Sequence, residues 1–349
     1  MDIIKLNKIL LFSILLIICS NCYSQSFQKE INLDSLFQKL QKSKVFNGNV
    51  LIAQKGRIIY QKSFGQADGS AMIPLNKKYR FHIGSIAKEF NAVGILMLQE
   101  QGKLKLEDTI SKFLPELPSW ANKIKIIHLL QYTSGLPQIK WNEVNQDSDN
   151  MMQLKKVESL DFEPGTKYDY NNNDVFLQRR IIEKITNMSF NFFVIKKILQ
   201  PIGIKYGVVD PNEEEKLYAK SFNNTGKEDI IKYNISGWTA LNAEDFYKWS
   251  EAINSFKLIT PESTAVLFNP FSKGNQTGLG EGSVQLRQVI NHIHDGAAFN
   301  YQALLVSNPS FTIVLMTNNK QNNLDAISDS IQSKLIEKPY NQIEKPKSN

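Results

Sequence analysis

The stretch FHIGSIAKEF, residues 81–90, is the starting point for the fold and the chemistry, because it places Ser85 and Lys88 three positions apart where an apolar helical pattern begins. Side chains three positions apart on a helix share one face and can reach hydrogen-bonding distance. A lysine so placed can take the serine proton if its pKa is lowered from about 10.4 or if a partner base assists it. The unpaired N–H groups at a helix start also suit an oxyanion. The stretch therefore predicts a nucleophilic serine, provided that other elements support it.

The same spacing is also typical of a serine that caps a helix, followed by a lysine that is solvated on the surface. A second S-x-x-K runs from Ser26 to Lys29, in a polar stretch that offers no core to hold it. The spacing alone therefore does not identify a nucleophile.

A second element is PGTKYDYNNND, residues 164–174, in which Tyr170 and Asn172 form Y-x-N directly before a predicted helix. A tyrosine phenolate beside a cation can act as a base, and an asparagine amide can hold both a lysine and a substrate carbonyl or amide. The alternative is a plain turn, because proline, glycine and asparagine are turn formers. Tyr170 and Asn172 are therefore candidate site residues.

The third element is HIHDGAAFNY, residues 292–301, in which His294, Asp295 and Gly296 are predicted to lie on a strand beside the serine. Gly296 would allow close approach of a substrate, and the N–H of Ala297 would be a second donor to an oxyanion. The alternative is a structural histidine with no part in the chemistry. A similar H-x-G triplet at His82 is interpreted as a chance match.

The order of the elements around these motifs predicts the fold. INLDSLFQKL, residues 31–40, is an amphipathic helix, and NVLIAQKGRIIYQKSFG, residues 49–65, is a β-hairpin that turns at a glycine. Helical patterns then dominate, and β-branched runs followed by the helical stretch LDAISDSIQSKLI come near the end. We therefore predict an α/β (α+β) fold in which an antiparallel sheet takes strands from both ends of the chain. N- and C-terminal helices flank the sheet, and an all-helical subdomain is inserted into it.

The chain of 349 residues, 42% of them hydrophobic, is long enough to bury a full core. We predict one domain over residues 25–338. Its α/β subdomain covers about 27–84 and 236–336, and its helical subdomain covers about 85–235. Residues 339–349 are predicted to form a disordered tail.

The first 24 residues have the pattern of a secretion signal, with lysines at positions 5 and 8, an apolar stretch over 9–18 and a cut before Gln25. The stretch is too short to favour a membrane span, so we expect a periplasmic or secreted protein without stable membrane insertion. A lipoprotein acylated at Cys22 is the alternative. Cys19 and Cys22 are the only cysteines, and a mature chain starting at Gln25 would therefore contain no disulfide.

The formal net charge of +7 is spread among acidic residues, except in the tail IEKPKSN. A scattered charge of this kind is typical of a solvated surface, and export argues against nucleic acid as a partner. The four histidines form no H-E-x-x-H motif, which disfavours a metal hydrolase. The absence of G-x-S-x-G disfavours an α/β-hydrolase.

Taken together, the three motifs and their surroundings resemble the serine β-lactamase and penicillin-binding protein family. The branch that is most similar contains class C β-lactamases, D-alanyl-D-alanine carboxypeptidases and esterases. The resemblance runs from about Phe46 to Ile336. It includes stretches with no evident catalytic duty: FNGNVLIAQKGRIIYQKSFGQAD, GKLKLEDTISKFLPELP, IIHLLQYTSGLP and ITPES.

The resemblance implies a site at the junction of an α/β subdomain and a helical subdomain. Ser85 would be the acyl-forming nucleophile, and Lys88 and Tyr170 would be the proton-transfer pair. Asn172 would position the substrate, and His294 would occupy the place of the lysine in the lactamase K-T-G motif. No cofactor or metal is implied.

The histidine at position 294 is the departure with the largest consequence. A lysine offers a fixed positive charge to a substrate carboxylate, whereas a histidine is mostly neutral near pH 7. We therefore expect weak or no β-lactamase activity and an amide or ester substrate, either a small molecule or a peptide such as a peptidoglycan fragment. The alternative function is a penicillin-binding or sensing module that is acylated but turns over poorly.

Overall fold

The computed structural model describes residues 33–212, 214–320 and 323–335. The predicted signal segment at residues 1–24 and the predicted tail at residues 339–349 lie outside these ranges. Within the ranges, no helix is both long enough and apolar enough to cross a bilayer.

The secondary structure consists of strands near both ends of the chain and helices between and beside them. The strands are β1 Gly48–Gln54, β2 Arg57–Phe64, β3 Phe81–His82, β4 Val208–Val209, β5 Thr239–Leu241, β6 Glu281–Gln285, β7 Gln288–Ala298, β8 Tyr301–Ser307 and β9 Phe311–Thr317. The helices are α1 at 33–42, α2 Lys88–Glu100, α3 Ile126–Leu130, α4 Asp147–Lys155, α5 Asn172–Thr186, α6 Phe190–Phe193, α7 Ala243–Asn254, α8 Pro261–Leu267 and α9 Leu324–Leu335. Short 3₁₀ turns occur at Gly84–Ala87, Ile110–Lys112, Ser119–Asn122 and Trp141–Glu143.

The main sheet has six antiparallel strands in the order β2-β1-β9-β8-β7-β6. Gly48 of β1 pairs with Thr317 of β9, so the sheet joins the two ends of the chain in one ladder. The β1–β2 hairpin turns through Lys55 and Gly56, both with positive φ, which is the geometry that matches the twist of the strands. The predicted hairpin is therefore confirmed.

Two apolar layers cover the two faces of this sheet. Because side chains alternate along a strand, Val50 and Ile52 of β1 face one layer and Leu51 faces the other. The first layer is built with α1 and α9. The second and larger layer includes Phe90 of α2 and Trp249 of α7. The site lies on the side of this larger layer, because Ser85 is on the 3₁₀ turn that leads into α2 and its neighbours Ile86 and Ala87 belong to this layer.

A small three-stranded sheet, β3-β5-β4, connects the helical region to the site. Phe81 and His82 of β3 pair with Leu241 and Ala240 of β5. The N–H of Ile83 then donates to the carbonyl of Thr239 at 3.1 Å. These bonds fix the chain immediately before the 3₁₀ turn that carries Ser85.

The predicted fold class is confirmed: an antiparallel sheet carries flanking helices and a helical insertion. The β-branched run VQLRQVINHI, residues 284–293, contributes to two strands, because Leu286 and Arg287 take positive φ and turn the chain between β6 and β7. The pattern of SFNFFVIKKILQPIG, residues 189–203, predicts a helix that ends before Pro201, and this local prediction was wrong. The helical turns continue through π-helical Val194–Leu199 and 3₁₀ Gln200–Ile202, since a proline in the first turn of a helical segment needs no N–H donor.

The docking of α1 onto the sheet gives a prediction about stability. Phe37 is fully buried, and its ring centroid lies 5.2 Å from that of Phe64 and 5.3 Å from that of Phe46. Phe37→Ala should lower the free energy of unfolding by about 3 to 5 kcal/mol, because it leaves a cavity among aromatic rings. Urea unfolding measures this loss, with the exposed neighbour Gln38→Ala as the control. A loss as small as that of the control would contradict the packing of α1.

Candidate active site

Ser85 lies on the 3₁₀ turn that leads directly into α2. Its hydroxyl does not cap the turn, and Ile83 occupies the N-cap position without a side-chain bond. The hydroxyl oxygen instead accepts a hydrogen bond of 2.8 Å from Nζ of Lys88. The alternative of a helix-capping serine therefore does not describe Ser85.

Lys88 is buried, with 4% of its surface exposed. None of the ion pairs found among the described residues includes it. Desolvation by burial, and secondly the positive charge of Arg179, lower the pKa of Lys88 from 10.5 to about 7. A large fraction of this amine is therefore unprotonated near neutral pH and able to accept a proton from Ser85.

Aromatic rings surround the Lys88 amine. Nζ lies 5.2 Å from the ring centroid of Tyr170 and 5.3 Å from that of Trp238. The guanidinium of Arg179 is also buried and lies 5.9 Å from the Trp238 centroid. It donates to the carbonyl of Ser236, which holds it near the lysine. The amine is thus withdrawn from water and lies near a second cation, and both features disfavour its protonated form.

Tyr170 lies at the end of the loop before α5, and the next residue, Asn171, caps that helix. Burial raises the pKa of Tyr170 to about 12, and an interaction with Ser85 opposes this only in part. Its buried hydroxyl has no regular hydrogen bond to any described residue. The free protein therefore carries Tyr170 as a neutral phenol rather than the phenolate considered from the sequence, with its hydroxyl proton available near the serine.

The edge of β7 beside Ser85 is open. The β6 ladder ends at Ile293, whereas the β8 ladder continues to Ala298. Backbone groups point to alternate sides along an antiparallel strand. A Cβ built on Gly280 would lie 2.4 Å from the carbonyl oxygen of Ile293, so this carbonyl points toward β6. Ala297 is four residues further along the strand, and its N–H therefore points to the same side. This N–H faces the Ser85 turn.

Two glycines allow this close approach. A Cβ built on Gly84 would lie 2.4 Å from the Ala297 nitrogen, and one built on Gly296 would lie 3.0 Å from the Ser85 nitrogen. Gly84 also has φ of +57°, a conformation that suits glycine. The backbone N–H groups of Ser85 and Ala297 therefore lie near each other, as a pair of oxyanion donors requires.

His82 stabilises the 3₁₀ turn that carries Ser85. Its Nδ1 accepts a hydrogen bond of 2.9 Å from the N–H of Gly84, and its ring stacks on Tyr233 and Tyr301. Burial, and then the charge of Lys88, lower the pKa of His82 to about 3, so the ring is neutral. The H-x-G triplet at His82 is therefore a structural feature of the site.

The structure places the other predicted residues as follows. Asn172 is the first residue of α5 and is half-buried, and its side chain has no hydrogen bond within the described ranges. Gly296 and Ala297 line the open edge of β7. His294 lies on β7 but is buried, with Nδ1 2.6 Å from Oε1 of Glu89 and Nε2 2.6 Å from Nε2 of Gln276. Its ring is therefore not free to meet a substrate carboxylate in this arrangement.

Sequence reasoning did not find Glu89, Trp238, Arg179 or Gln276. Glu89 had a readable signal, because an acid inside the apolar helical run IAKEFNAVGIL must find buried partners. The other three reach the site through contacts between distant segments, and no local pattern marks them.

A pocket of about 330 Å³ opens beside the site. It is lined by His82, Trp141, Ile230, Lys232, Tyr233, Asn234, Trp238, Ala298 and Phe299. Trp238 also contacts the Lys88 amine, and Ala298 follows Ala297 in sequence. The pocket therefore adjoins residues that surround Lys88, and most of its lining side chains are aromatic.

No cluster of three or more His, Cys, Asp or Glu side chains suited to a metal ion occurs among the residues that the structure describes. What the site combines is a serine hydroxyl, an amine with a lowered pKa, a neutral phenol and two converging N–H groups. This combination is typical of sites in which a lysine activates a serine for acyl transfer.

Known proteins share this sequence and architecture. The sequence matches the family described as Beta-lactamase over residues 33–336. Penicillin-binding protein 4* of Bacillus subtilis (strain 168) is 27% identical over 360 residues, which cover 91% of this chain and 78% of that protein. Teichoic acid D-alanine hydrolase of Staphylococcus aureus (strain MRSA252) is 24% identical over 320 residues, which cover 88% of this chain and 80% of that protein.

Among solved structures, the crystal structure of FmtA from Staphylococcus aureus aligns with a TM-score of 0.74 at 23% identity. The alignment covers 90% of this chain and 92% of that one, and it shows that the fold is the same. Because the family match spans most of the sequence, the chain belongs to the Beta-lactamase family.

Proposed function

We propose that the protein is an exported serine hydrolase that forms an acyl-enzyme on Ser85 and hydrolyses an ester or an amide. The observation that carries this proposal is the buried Lys88 amine, 2.8 Å from the Ser85 hydroxyl and with its pKa lowered to about 7. A serine hydroxyl is a weak nucleophile until a neighbouring base takes its proton. Lys88 is a base of the required strength at the required distance.

In the first half of the reaction, Oγ of Ser85 attacks the substrate carbonyl carbon while Lys88 takes the hydroxyl proton. The oxyanion accepts hydrogen bonds from the N–H groups of Ser85 and Ala297. The tetrahedral intermediate then expels an alcohol or an amine, which takes a proton from the Tyr170 hydroxyl as Lys88 reprotonates the phenolate. The acyl group remains as an ester of Ser85.

In the second half, water attacks the acyl carbonyl while the neutral Lys88 amine takes a proton from it. Collapse of this intermediate releases the acid and returns the proton to Ser85 Oγ. Asn172 lies at the start of α5, two residues after Tyr170, and its amide has no hydrogen bond to a described residue. In this proposal it would hold the carbonyl or amide of the substrate.

The aromatic pocket beside Trp238 favours a substrate with an apolar acyl or leaving group. Each buried methylene would contribute about 0.8 kcal/mol to binding. The charges near Ser85 do not favour a carboxylate, because His294 is committed to Glu89 and Gln276 and the Lys88 amine is largely neutral above pH 7. Weak or absent β-lactam hydrolysis is therefore part of the proposal.

The names of two relatives indicate which substrates should be tested first. One relative is named as a penicillin-binding protein and another as a hydrolase of D-alanine from teichoic acid. A D-alanyl ester or amide of a cell-envelope polymer therefore belongs in the first substrate panel, together with a β-lactam, a D-alanyl peptide and short-chain esters. Export is supported by the pattern of the first 24 residues.

The first prediction for this function concerns the nucleophile. Ser85→Ala should reduce ester hydrolysis to background and leave thermal unfolding almost unchanged, because it deletes the nucleophile and one hydrogen bond. Ser26→Ala is the matched control, since Ser26 belongs to the other S-x-x-K in the chain. Hydrolysis by Ser85→Ala within tenfold of the parent would contradict the assignment. A burst of one equivalent of product without further turnover in the parent would instead favour a sensing module.

The second prediction concerns the proton-transfer pair. Lys88→Ala and Tyr170→Phe should each lower kcat by about 10²-fold or more, since general acid–base catalysis contributes this much. The double variant should lose much less than the product of the two factors, because residues that share one step are not additive. Steady-state kinetics of all three variants measure this. Independent, multiplicative losses would show that the two residues do not act in the same step.

A further inference from the structure

A buried carboxylate that the reaction does not use lies directly beside Lys88 in sequence. Glu89 is 0% exposed and points away from Ser85 into a cluster of ring nitrogens. Its Oε1 lies 2.9 Å from Nε2 of His292 and 2.6 Å from Nδ1 of His294, and its Oε2 accepts a hydrogen bond from Nε1 of Trp249. Burial alone would raise the pKa of Glu89, but the two histidines outweigh it and lower the pKa to about 2.

The ionised carboxylate fixes which ring nitrogens carry hydrogen. A carboxylate can only accept hydrogen bonds, so the nitrogen of each histidine that faces Glu89 must be a donor. His294 is therefore held with its hydrogen on Nδ1. Its other ring nitrogen, Nε2, lies 2.6 Å from the amide nitrogen of Gln276. Because an amide nitrogen can only donate, Nε2 is the acceptor in this contact.

Gln276 is half-buried and is the last residue in the series of contacts that runs from Glu89 through His294. Its backbone interacts with Tyr168, and that contact lowers the pKa of Tyr168 against the larger effect of burial. Tyr168 is two residues before Tyr170. Gln276 thus connects β7, on one side of Ser85, with the loop that carries Tyr170 on the other side.

The backbone around Gln276 is also fixed. Thr277 and Gly280 form a tight turn with two backbone hydrogen bonds of 3.2 Å. A Cβ built on Gly280 would lie 2.7 Å from Cγ of His294, so the turn rests on the histidine ring. The position of Gln276 therefore depends on the orientation of His294.

We propose that Glu89 is a positioning residue that holds His294 in the Nδ1–H tautomer, and that His294 in turn holds Gln276 as a substrate-binding amide between β7 and the loop that carries Tyr170. This inference rests on the proposed function. One N–H of the Gln276 amide is used by His294, and the second N–H and the carbonyl oxygen remain for a ligand. The ligand group that suits this amide is a neutral polar one, such as a carboxamide.

The charges near Gln276 also favour a neutral ligand group over an anionic one. Glu89 lies one imidazole ring away and is anionic, and Asp295 of β7 is near enough to raise the pKa of Tyr170. A substrate carboxylate placed here would meet like charges, which disfavours its binding. The geometry therefore predicts discrimination between a carboxamide and a carboxylate of the same shape.

The first part of the proposal, that Glu89 fixes the tautomer of His294, can be tested without turnover. Nitrogen-15 NMR of the histidine rings should show His294 at pH 7.5 with hydrogen on Nδ1 and not on Nε2, and His294→Asn assigns its signals. In Glu89→Gln the fixed tautomer should be lost, and in Glu89→Asp it should be retained at least in part. An Nε2–H tautomer in the parent would overturn the proposal.

The second part of the proposal, that the Gln276 amide binds the substrate, can be tested by ligand binding to the Ser85→Ala variant, again without turnover. Two esters are compared that differ only at the end of a short chain, one a carboxamide and the other a carboxylate. We expect the carboxamide to bind about tenfold more tightly, the effect of one hydrogen bond in a partly buried site. Adding Gln276→Ala should reduce this ratio by about tenfold. Gln276→Lys should reverse it, because the variant supplies a cation at the same place.

Glu89→Gln tests whether Glu89 acts on ligand binding through His294 and Gln276. In the Ser85→Ala background, it should lower the ratio of carboxamide affinity to carboxylate affinity nearly as much as Gln276→Ala does. The two changes together should lower it no further than either alone. An unchanged ratio in Gln276→Ala would overturn the substrate-binding role. Failure of Ser85→Ala to abolish hydrolysis would instead reject the proposed function, while the tautomer result would stand by itself.

Discussion

The structure depends on one unfavourable placement: the Lys88 amine is buried beside the Ser85 hydroxyl, and no carboxylate among the described residues forms an ion pair with it. Lowering the pKa of Lys88 from 10.5 to about 7 corresponds to roughly 5 kcal/mol of preference for the neutral amine over the charged one. Two features maintain this preference: the burial of the amine away from water, and secondly the buried charge of Arg179. Without them, Lys88 would remain protonated at neutral pH and could not accept the proton of Ser85.

The sheet supplies the other half of the site. Because β6 leaves β7 at Ile293, the rest of β7 presents its backbone to the Ser85 turn. Gly84 and Gly296 bring the two backbones close enough for their N–H groups to converge. On the next helical residue, Glu89 is directed away from Ser85 and into a separate set of partners. In the proposed function, two adjacent residues of α2 would thus have separate roles, Lys88 in the proton transfer and Glu89 in the positioning of β7 side chains.

Much of this arrangement is readable from local sequence patterns. The helix start at Ser85, the hairpin at Gly56 and the helix after Tyr170 each follow from periodicity and turn residues, and their order predicts the antiparallel sheet. The sequence does not reveal which distant side chains surround Lys88, since tertiary packing brings in Trp238, the residue before β5, and Arg179 of α5. The alternation of His292 and His294 shows that they share a face, but not that Glu89 meets them. The same limit explains why His294 was expected to be available to a substrate.

The titration of Lys88 itself tests the central claim most directly. In protein with carbon-13 at the lysine Cε position, NMR follows each amine as the pH changes, and Lys88→Met assigns the signal. The account predicts one lysine with a midpoint near 7, well separated from exposed lysines at about 10.4. Arg179→Met should move that midpoint upward if the variant folds, because it removes a nearby positive charge. A Lys88 midpoint above 9 in the parent would contradict the account, since the amine would then be protonated at neutral pH.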